Sequence, residues 1–226
     1  MEYAELARAE SDRGDVVLRE RAGDGPTALE LRVNGIFVMD TVETSSETTL
    51  ARQALRLLEE PRRVLIGGLG LGYTLSAVLA DHRVEHCTVV EIEDALVGWM
   101  RDGTIGHGPA VLADARLSVT VADVAVALAE TRPASYDLVV LDVDNGPGYL
   151  VYDANAALYR EPFLATCRRV LDHEGVLAIW SADEAPELEA AMKGVFGNCR
   201  ARSCEVELQD RQEHYWLYVS RVPSPA

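Results

Sequence analysis

The chain has 226 residues, 48% of them hydrophobic, which suits one sizeable core with a small appendage rather than two full domains. Its 37 acidic and 21 basic residues give a negative surface that argues against a nucleic-acid partner, although such a surface also serves solubility alone. The charged N-terminus and the lack of a long apolar run predict neither a signal peptide nor a membrane helix, and so no membrane partner. The four cysteines have no metal-ligand spacing and predict reduced thiols of a cytoplasmic protein.

The first 60 residues are predicted to form a β-hairpin extension with a linking helix, ahead of a larger domain over residues 61–226. A short strand is expected around residues 16–18. Residues 29–33 and 36–39 are apolar stretches on either side of Asn34-Gly35, the strongest short-range hairpin signal because both turn residues accept positive φ.

A helix is predicted next, beginning near residue 45. Thr44-Ser45-Ser46-Glu47 places a hydroxyl residue three positions before a glutamate, just ahead of a series of leucines and alanines. This order is typical of a capping box that opens an amphipathic helix, and Pro61 is expected to end that helix.

From residue 61 onward, short apolar runs alternate with helix-like segments. Strands separated by helices imply right-handed crossovers, so we expect a mostly parallel sheet with helices on both faces. The last two strands, 204–208 and 215–219, have no helix between them and predict an antiparallel hairpin at one edge. The other strands are predicted over 64–67, 87–91, 117–122, 137–142 and 175–180, and the helices over 73–80, 94–101, 124–130, 155–171 and 184–196.

A glycine-rich turn follows the first of these strands. In the sequence RVLIGGLGLG, the strand ends at Gly67 and Gly68, and Gly70 and Gly72 lead directly into a helix. Such a turn lets the chain approach a nucleotide without Cβ clashes and presents backbone N–H groups to it, although glycines also serve ordinary tight turns. Glu91, at the end of the next strand, favours the nucleotide site, because an acidic residue there accepts hydrogen bonds from ribose hydroxyls.

The ends of the third and fourth strands also carry polar residues, at the edge where open α/β sheets bind ligands. Asp123, beside Val124, is suited to accept a hydrogen bond from the exocyclic amine of adenine, and also to cap the following helix. Asp142, Asp144 and Asn145 follow the fourth strand, where a transferred group would lie. The two carboxylates are candidates to hold a cationic amine and accept its proton, although the run is also typical of a plain loop turn. Two acids this close are expected to raise each other's pKa.

Two other kinds of site are not predicted. The five histidines are scattered without ligand spacing, so no metal is expected. The serines lack a nucleophile-elbow context, which argues against a hydrolase.

With these residues identified, the chain resembles the spermidine synthase (polyamine aminopropyltransferase) family, a branch of the class I S-adenosylmethionine-dependent methyltransferase fold. The likeness runs from about residue 29 to about residue 181. It implies a Rossmann-like catalytic domain with an N-terminal β-hairpin extension, a homodimer, and S-adenosylmethionine or its decarboxylated form as co-substrate. The residues that the resemblance and the glycine turn assign to the nucleoside are Gly67, Gly68, Gly70, Gly72, Glu91, Ile92, Asp123 and Val124.

The resemblance also assigns roles within the site. It makes Asp142 the catalytic aspartate, with Asp144 beside it, and places Asn145 and Glu47 near the acceptor. The family has an aspartate that helps to hold amines where Gly70 stands, and other amine contacts are also replaced. We therefore expect a spermidine synthase-like transferase that alkylates an amine-type small molecule, with an amine other than the standard polyamines left open as its substrate. The alternatives are a small-molecule methyltransferase and a non-catalytic nucleoside-binding protein.

Overall fold

Four antiparallel strands form an N-terminal sheet in the computed structural model, which describes residues 2–224 except 24, 26, 209 and 210. The predicted hairpin at Asn34-Gly35 is confirmed, with φ of 52° and 75° at its two turn residues. The first strand was not predicted, because most of its residues are exposed and it has no alternating apolar pattern. In chain order the strands are β1 (Glu2–Ser11), β2 (Gly14–Ala22), β3 (Ala28–Val33) and β4 (Ile36–Asp40), and each pairs with the next.

The rest of the chain forms a mostly parallel sheet of seven strands. These are β5 (Arg63–Gly67), β6 (His86–Glu91), β7 (Leu117–Val121), β8 (Tyr136–Leu141), β9 (Leu171–Ser181), β10 (Arg200–Leu208) and β11 (Arg211–Arg221). Their order is β10-β11-β9-β8-β5-β6-β7, and β11 runs antiparallel to both of its neighbours. The predicted parallel sheet and C-terminal hairpin are confirmed; the turn at residues 209 and 210 lies outside the described residues.

The helices occupy both faces of this sheet. They are α1 (Ser45–Leu55), α2 (Tyr73–Leu79), α3 (Asp94–Asp102), α4 (Gly108–Leu112), α5 (Val124–Glu130), α6 (Glu161–Val170) and α7 (Pro186–Phe196). The single helix predicted over 155–171 is wrong in its first part: a 3-10 segment, Asp153–Tyr159, precedes α6. Pro162 explains the break, because proline lacks an N–H and its ring clashes with the carbonyl one turn earlier. Within the described residues, no helix is long and apolar enough to cross a membrane.

Helix α1 begins where predicted, but its capping box is not formed. The side chain of Thr44, the N-cap residue, makes no capping hydrogen bond. The carboxylate of Glu47 accepts a hydrogen bond from Ser46 Oγ at 2.7 Å and is buried away from the helix end. The helix also ends at Leu55, well before Pro61. The capping-box prediction was wrong because Glu47 faces a cleft described below.

The N-terminal sheet packs against the central sheet within one hydrophobic core. Val16, Leu18 and Leu31 belong to the same buried cluster as Leu50 of α1 and Val64 of β5. A second cluster lies among α5, α6, α7 and the strands of the central sheet. The division of the chain between residues 60 and 61 stays a prediction, although the two parts share apolar packing.

Leu18→Ala tests this shared packing. Leu18 is completely buried, so truncation should lower the free energy of unfolding by about 2–5 kcal/mol. The control is Leu6→Ala on β1, where the side chain is 46% exposed and the change should be within about 0.5 kcal/mol. Denaturant unfolding followed by fluorescence and circular dichroism should give one shared transition. Two separate transitions, with Leu18→Ala shifting one alone, would contradict a common core.

Candidate active site

Two adjoining pockets lie at the carboxyl ends of the parallel strands. The glycine pocket is the one lined by Gly68, Glu91, Ile92, Asp123 and Val124, together with residues of the loop after β8. The acidic cleft is lined by acidic residues of α1, of the strand ends and of the loops around them. The two pockets share residues at their junction, which are Val38, Gly70, Asp142 and Asp144.

Gly68 gives the turn after β5 its shape. Its φ is 94°, and a Cβ at this position would lie 2.1 Å from the backbone oxygen of Asp142. Its N–H donates to the oxygen of Val90 at 2.9 Å. Gly67 and Gly72 are not among the described residues that line the two pockets: Gly67 packs at the strand end and Gly72 begins α2. They therefore shape the turn, while Gly68 and Gly70 face the pocket.

Gly70 lies against a methionine of the N-terminal sheet. Its φ is 49°, and a Cβ there would lie 2.7 Å from Sδ of Met39. That sulfur also accepts a hydrogen bond from the N–H of Leu71 at 3.2 Å. A side chain at position 70 would therefore require Met39 to move.

Glu91 is buried and held by two backbone groups. Its Oε2 accepts from the N–H of Leu69 at 2.7 Å and its Oε1 from the N–H of Glu93 at 2.8 Å. Burial raises the pKa of Glu91, and these hydrogen bonds oppose the rise. Each carboxylate oxygen retains acceptor capacity for a ribose hydroxyl. The carboxylate is therefore fixed in orientation before any ligand binds.

Asp123 caps the N-terminus of α5, which is one of the two roles predicted for it. Its Oδ1 accepts from the N–H of Ala125 at 2.7 Å. The residue also lines the glycine pocket with Val124. One carboxylate oxygen thus serves the helix, and the other remains available as an acceptor. The adenine contact stays a prediction.

Asp142 lies at the junction of the pockets and is half-buried. Its Oδ2 accepts a hydrogen bond from Thr74 Oγ1 at 2.5 Å. Burial raises the pKa of Asp142, and the threonine hydroxyl lowers it in part. Thr74 was not predicted from the sequence; a hydroxyl residue in the first helical turn after the glycines was the available signal.

Both carboxylate oxygens of Asp144 accept hydrogen bonds from the loop that follows it. Its φ is 57°, and its two oxygens accept from the N–H of Val151 at 2.9 Å and from Nδ2 of Asn155 at 2.7 Å. Burial raises its pKa, as it does that of Asp142, and is the largest cause in both residues. Neither acid is among the causes of the other's shift, so the expected mutual effect is not observed. Asp144 shapes the loop beside Asp142.

Asn145 links the loop after β8 to the N-terminal sheet. Its Nδ2 donates to the backbone oxygen of Phe37 in β4 at 3.1 Å.

Glu47 of α1 has a raised pKa. Burial, followed by the charge of Asp142, raises the pKa of Glu47 to about 7. Near neutral pH this carboxyl is thus poised to accept or release a proton.

The acidic cleft has a strongly negative lining. Among the described residues that form it there is no lysine, arginine or histidine. Its aromatic residues are Phe37, Tyr149, Trp180 and Tyr215, and its acidic residues are Asp40, Glu43, Glu47, Asp142, Asp144 and Asp183. Of these acids, Asp40, Glu43 and Asp183 were not predicted. Asp40 ends β4, Glu43 follows it, and Asp183 lies between β9 and α7, so only the fold brings all three to the same cleft. No group of three or more potential metal ligands occurs in the described parts of the chain.

Glu47→Gln tests the raised pKa. Because the folded-state pKa is about 7 and the ordinary value is 4.5, the protonated carboxyl favours folding at low pH, and that stability is lost as pH rises from 4.5 to 7. Between pH 5 and pH 8 the wild type should lose roughly 2–3 kcal/mol of unfolding free energy that the glutamine variant retains. Urea unfolding at several pH values measures this difference. Parallel pH profiles for the two proteins would refute the assignment.

The strand order, the glycine turn and the acid at the end of β6 are those of an α/β protein with the Rossmann-like class I methyltransferase fold. Residues 43–207 match the model of the spermine/spermidine synthase domain, so the chain belongs to that family. The resemblance inferred from the sequence is confirmed.

Three similar proteins illustrate the relationship. The polyamine aminopropyltransferase of Erwinia tasmaniensis is 26% identical over 204 residues, which are 85% of this chain and 67% of that protein. Putrescine N-methyltransferase 3 of Nicotiana tabacum is 25% identical over 202 residues, 86% of this chain and 49% of that protein. A solved spermidine synthase in complex with the transition state analogue AdoDATO has a TM-score of 0.84 at 19% identity, covering 96% of this chain and 73% of that one. At 19% identity, the likeness to the solved structure shows the fold alone. The matched part of this chain spans half or less of the length of several curated relatives.

Proposed function

We propose that the protein transfers an aminopropyl group from decarboxylated S-adenosylmethionine to a cationic amine of the polyamine class. The observation that carries this proposal is the acidic cleft, which meets the glycine pocket at Asp142 and has no basic residue in its described lining. A negative field of this kind favours polycationic ligands. The transferase names of the curated relatives support an enzyme over a non-catalytic binding protein.

The glycine pocket suits the nucleoside half of the donor. Glu91 would accept hydrogen bonds from the ribose hydroxyls, and the free oxygen of Asp123 would accept one from the adenine amine. Ile92 and Val124 add apolar and backbone contacts in the same pocket. The reacting end of the donor would then lie at the junction, beside Asp142.

The cleft favours the decarboxylated donor over intact S-adenosylmethionine. An intact donor carries a carboxylate, which the clustered acids would repel and which no lysine or arginine of the described lining would bind. The aminopropyl group of the decarboxylated donor ends in an ammonium, which the same acids attract. Methyl transfer, the activity in the tobacco relative's name, is therefore the less favoured alternative.

The residues at the junction would assist the reaction by position and by proton transfer. The acceptor nitrogen attacks the carbon bonded to the sulfonium, the carbon–sulfur bond breaks, and methylthioadenosine leaves. Asp142 would orient the attacking amine and attract its charge. Glu47, with a pKa of about 7, is suited to accept the proton that the amine gives up.

Two further expectations remain proposals. A homodimer would suit β1, an edge strand whose Tyr3 and Leu6 are exposed, since an unpaired edge presents free N–H and C=O groups to a second copy. A cytoplasmic location is consistent with the free cysteines among the described residues.

Product analysis tests the reaction. With decarboxylated S-adenosylmethionine and a panel of diamines and triamines, we expect methylthioadenosine and an aminopropylated amine. Asp142→Asn removes the charge that orients the attacking amine, so kcat should fall about a hundredfold while methylthioadenosine binding stays nearly unchanged. Asp183→Asn removes a charge elsewhere in the cleft and should mainly raise the acceptor KM. Production of S-adenosylhomocysteine from the intact donor, with no turnover of the decarboxylated one, would replace this proposal by methyl transfer.

Asp123→Ser separates the two roles of that residue. Serine caps helices about as well as aspartate, so the melting temperature should change little. It lacks the second carboxylate oxygen, so methylthioadenosine binding should weaken by about 1.5–3 kcal/mol. Asp123→Ala should lose both the cap and the contact. Calorimetry that gives Asp123→Ser the affinity of the wild type would leave Asp123 as a cap alone.

A further inference from the structure

Arg13, in the turn between β1 and β2, contacts the turn that follows β6. Its Nε donates to Oε1 of Glu93 at 2.9 Å, and its Nη2 donates to the backbone oxygen of Ile92 at 2.8 Å. These acceptors belong to the segment that begins with Glu91 and lines the glycine pocket. One guanidinium thus binds both a side chain and the backbone of this segment.

Glu93 shares its carboxylate with a second residue. Tyr152 donates its hydroxyl to the same Oε1 at 2.9 Å, and Glu93 itself is only 5% exposed. A buried carboxylate needs hydrogen-bond or charge partners, and here a cation and a phenol supply them. Burial and the contact with Glu93 raise the pKa of Tyr152, so the phenol stays protonated and remains a donor.

Tyr152 belongs to the loop that follows the reacting junction. That loop is tied at one end by Asp144, which accepts from Val151 and Asn155. Val151, Tyr152 and Asn155 all line the glycine pocket. The contact between Tyr152 and Glu93 therefore fixes the loop to the opposite part of the pocket lining, the turn after β6.

We propose that Arg13 is a positioning residue for the nucleoside ligand of the glycine pocket, holding the turn after β6 and the loop carrying Tyr152 together through Glu93. The proposal rests on the proposed function, because the ligand is taken to be the nucleoside part of the donor. The guanidinium also offsets the charge of Glu93 next to Glu91, the residue expected to bind ribose. The N-terminal sheet then takes a direct part in donor binding.

The test compares two arginines of the first hairpin. Arg13→Gln removes the charge and the paired donors, while Arg8→Gln removes an arginine of similar exposure that pairs with Glu5 and Asp15. Calorimetry with methylthioadenosine should show the dissociation constant rising about tenfold to a hundredfold for Arg13→Gln and staying near the wild-type value for Arg8→Gln. Equal affinities for both variants would overturn the proposal.

Two further measurements separate positioning from general stability. Tyr152→Phe should weaken binding less than Arg13→Gln, and the double variant should be less than additive, because both changes act through the carboxylate of Glu93. In steady state, the donor KM of Arg13→Gln should rise while kcat stays within about threefold. Additive effects, or a fall in kcat with an unchanged KM, would count against the proposal.

Hydrogen exchange of the unliganded protein distinguishes failure of this inference from failure of the proposed function. In Arg13→Gln, amides of residues 150–155 should exchange about tenfold faster than in Arg8→Gln, since Glu93 loses the cation that holds its carboxylate against Tyr152. If the wild type binds no methylthioadenosine, the donor assignment fails, and the exchange rates still decide whether Arg13 holds the loop. Equal exchange in the two variants would refute that role.

Discussion

Three carboxylates lie at one edge of the central sheet, and uncharged groups hold them there. Glu91 is buried, and Asp142 and Asp144 are half-buried. Glu91, Asp142 and Asp144 accept hydrogen bonds from backbone N–H groups, a threonine hydroxyl and an asparagine amide. Burial raises the pKa of all three, and each neutral donor offsets part of the cost of burying the charge. Because neutral donors leave the charge in place, the field of the site remains negative and available to a cationic ligand.

The closeness of these carboxylates also gives the site a group that can exchange a proton near neutral pH. The charge of Asp142 contributes to the raised pKa of Glu47, so the two groups are coupled. A cationic amine bound beside them would favour the ionised form of both, and its binding would therefore release a proton from the protein. An acceptor that later loses its own proton would find a carboxylate able to take it. Selection for cations and proton transfer thus have one physical origin.

Local patterns predicted the parts of the fold that depend on neighbouring residues. The hairpin at Asn34-Gly35 and the turn at Gly68 were predicted, because their backbone angles require particular residues. The capping box was wrong because burial in the cleft overrode a local preference of Glu47. Thr74 and Arg13 were missed, since their partners lie 68 and 80 residues away in the chain. Such contacts follow from the sheet order rather than from any short pattern.

The N-terminal sheet contributes residues of β4 to both pockets. Met39 of β4 occupies the space beside Gly70, where a side chain with a Cβ would come within 2.7 Å of its sulfur. The neighbouring Asp40 lines the acidic cleft and pairs with Arg21 of β2 at 2.9 Å. Helix α1, which follows the sheet, brings Glu47 to the same cleft. The carboxylates of the cleft therefore come from elements outside the glycine turn, and the packing of the N-terminal sheet and α1 determines where two of them lie.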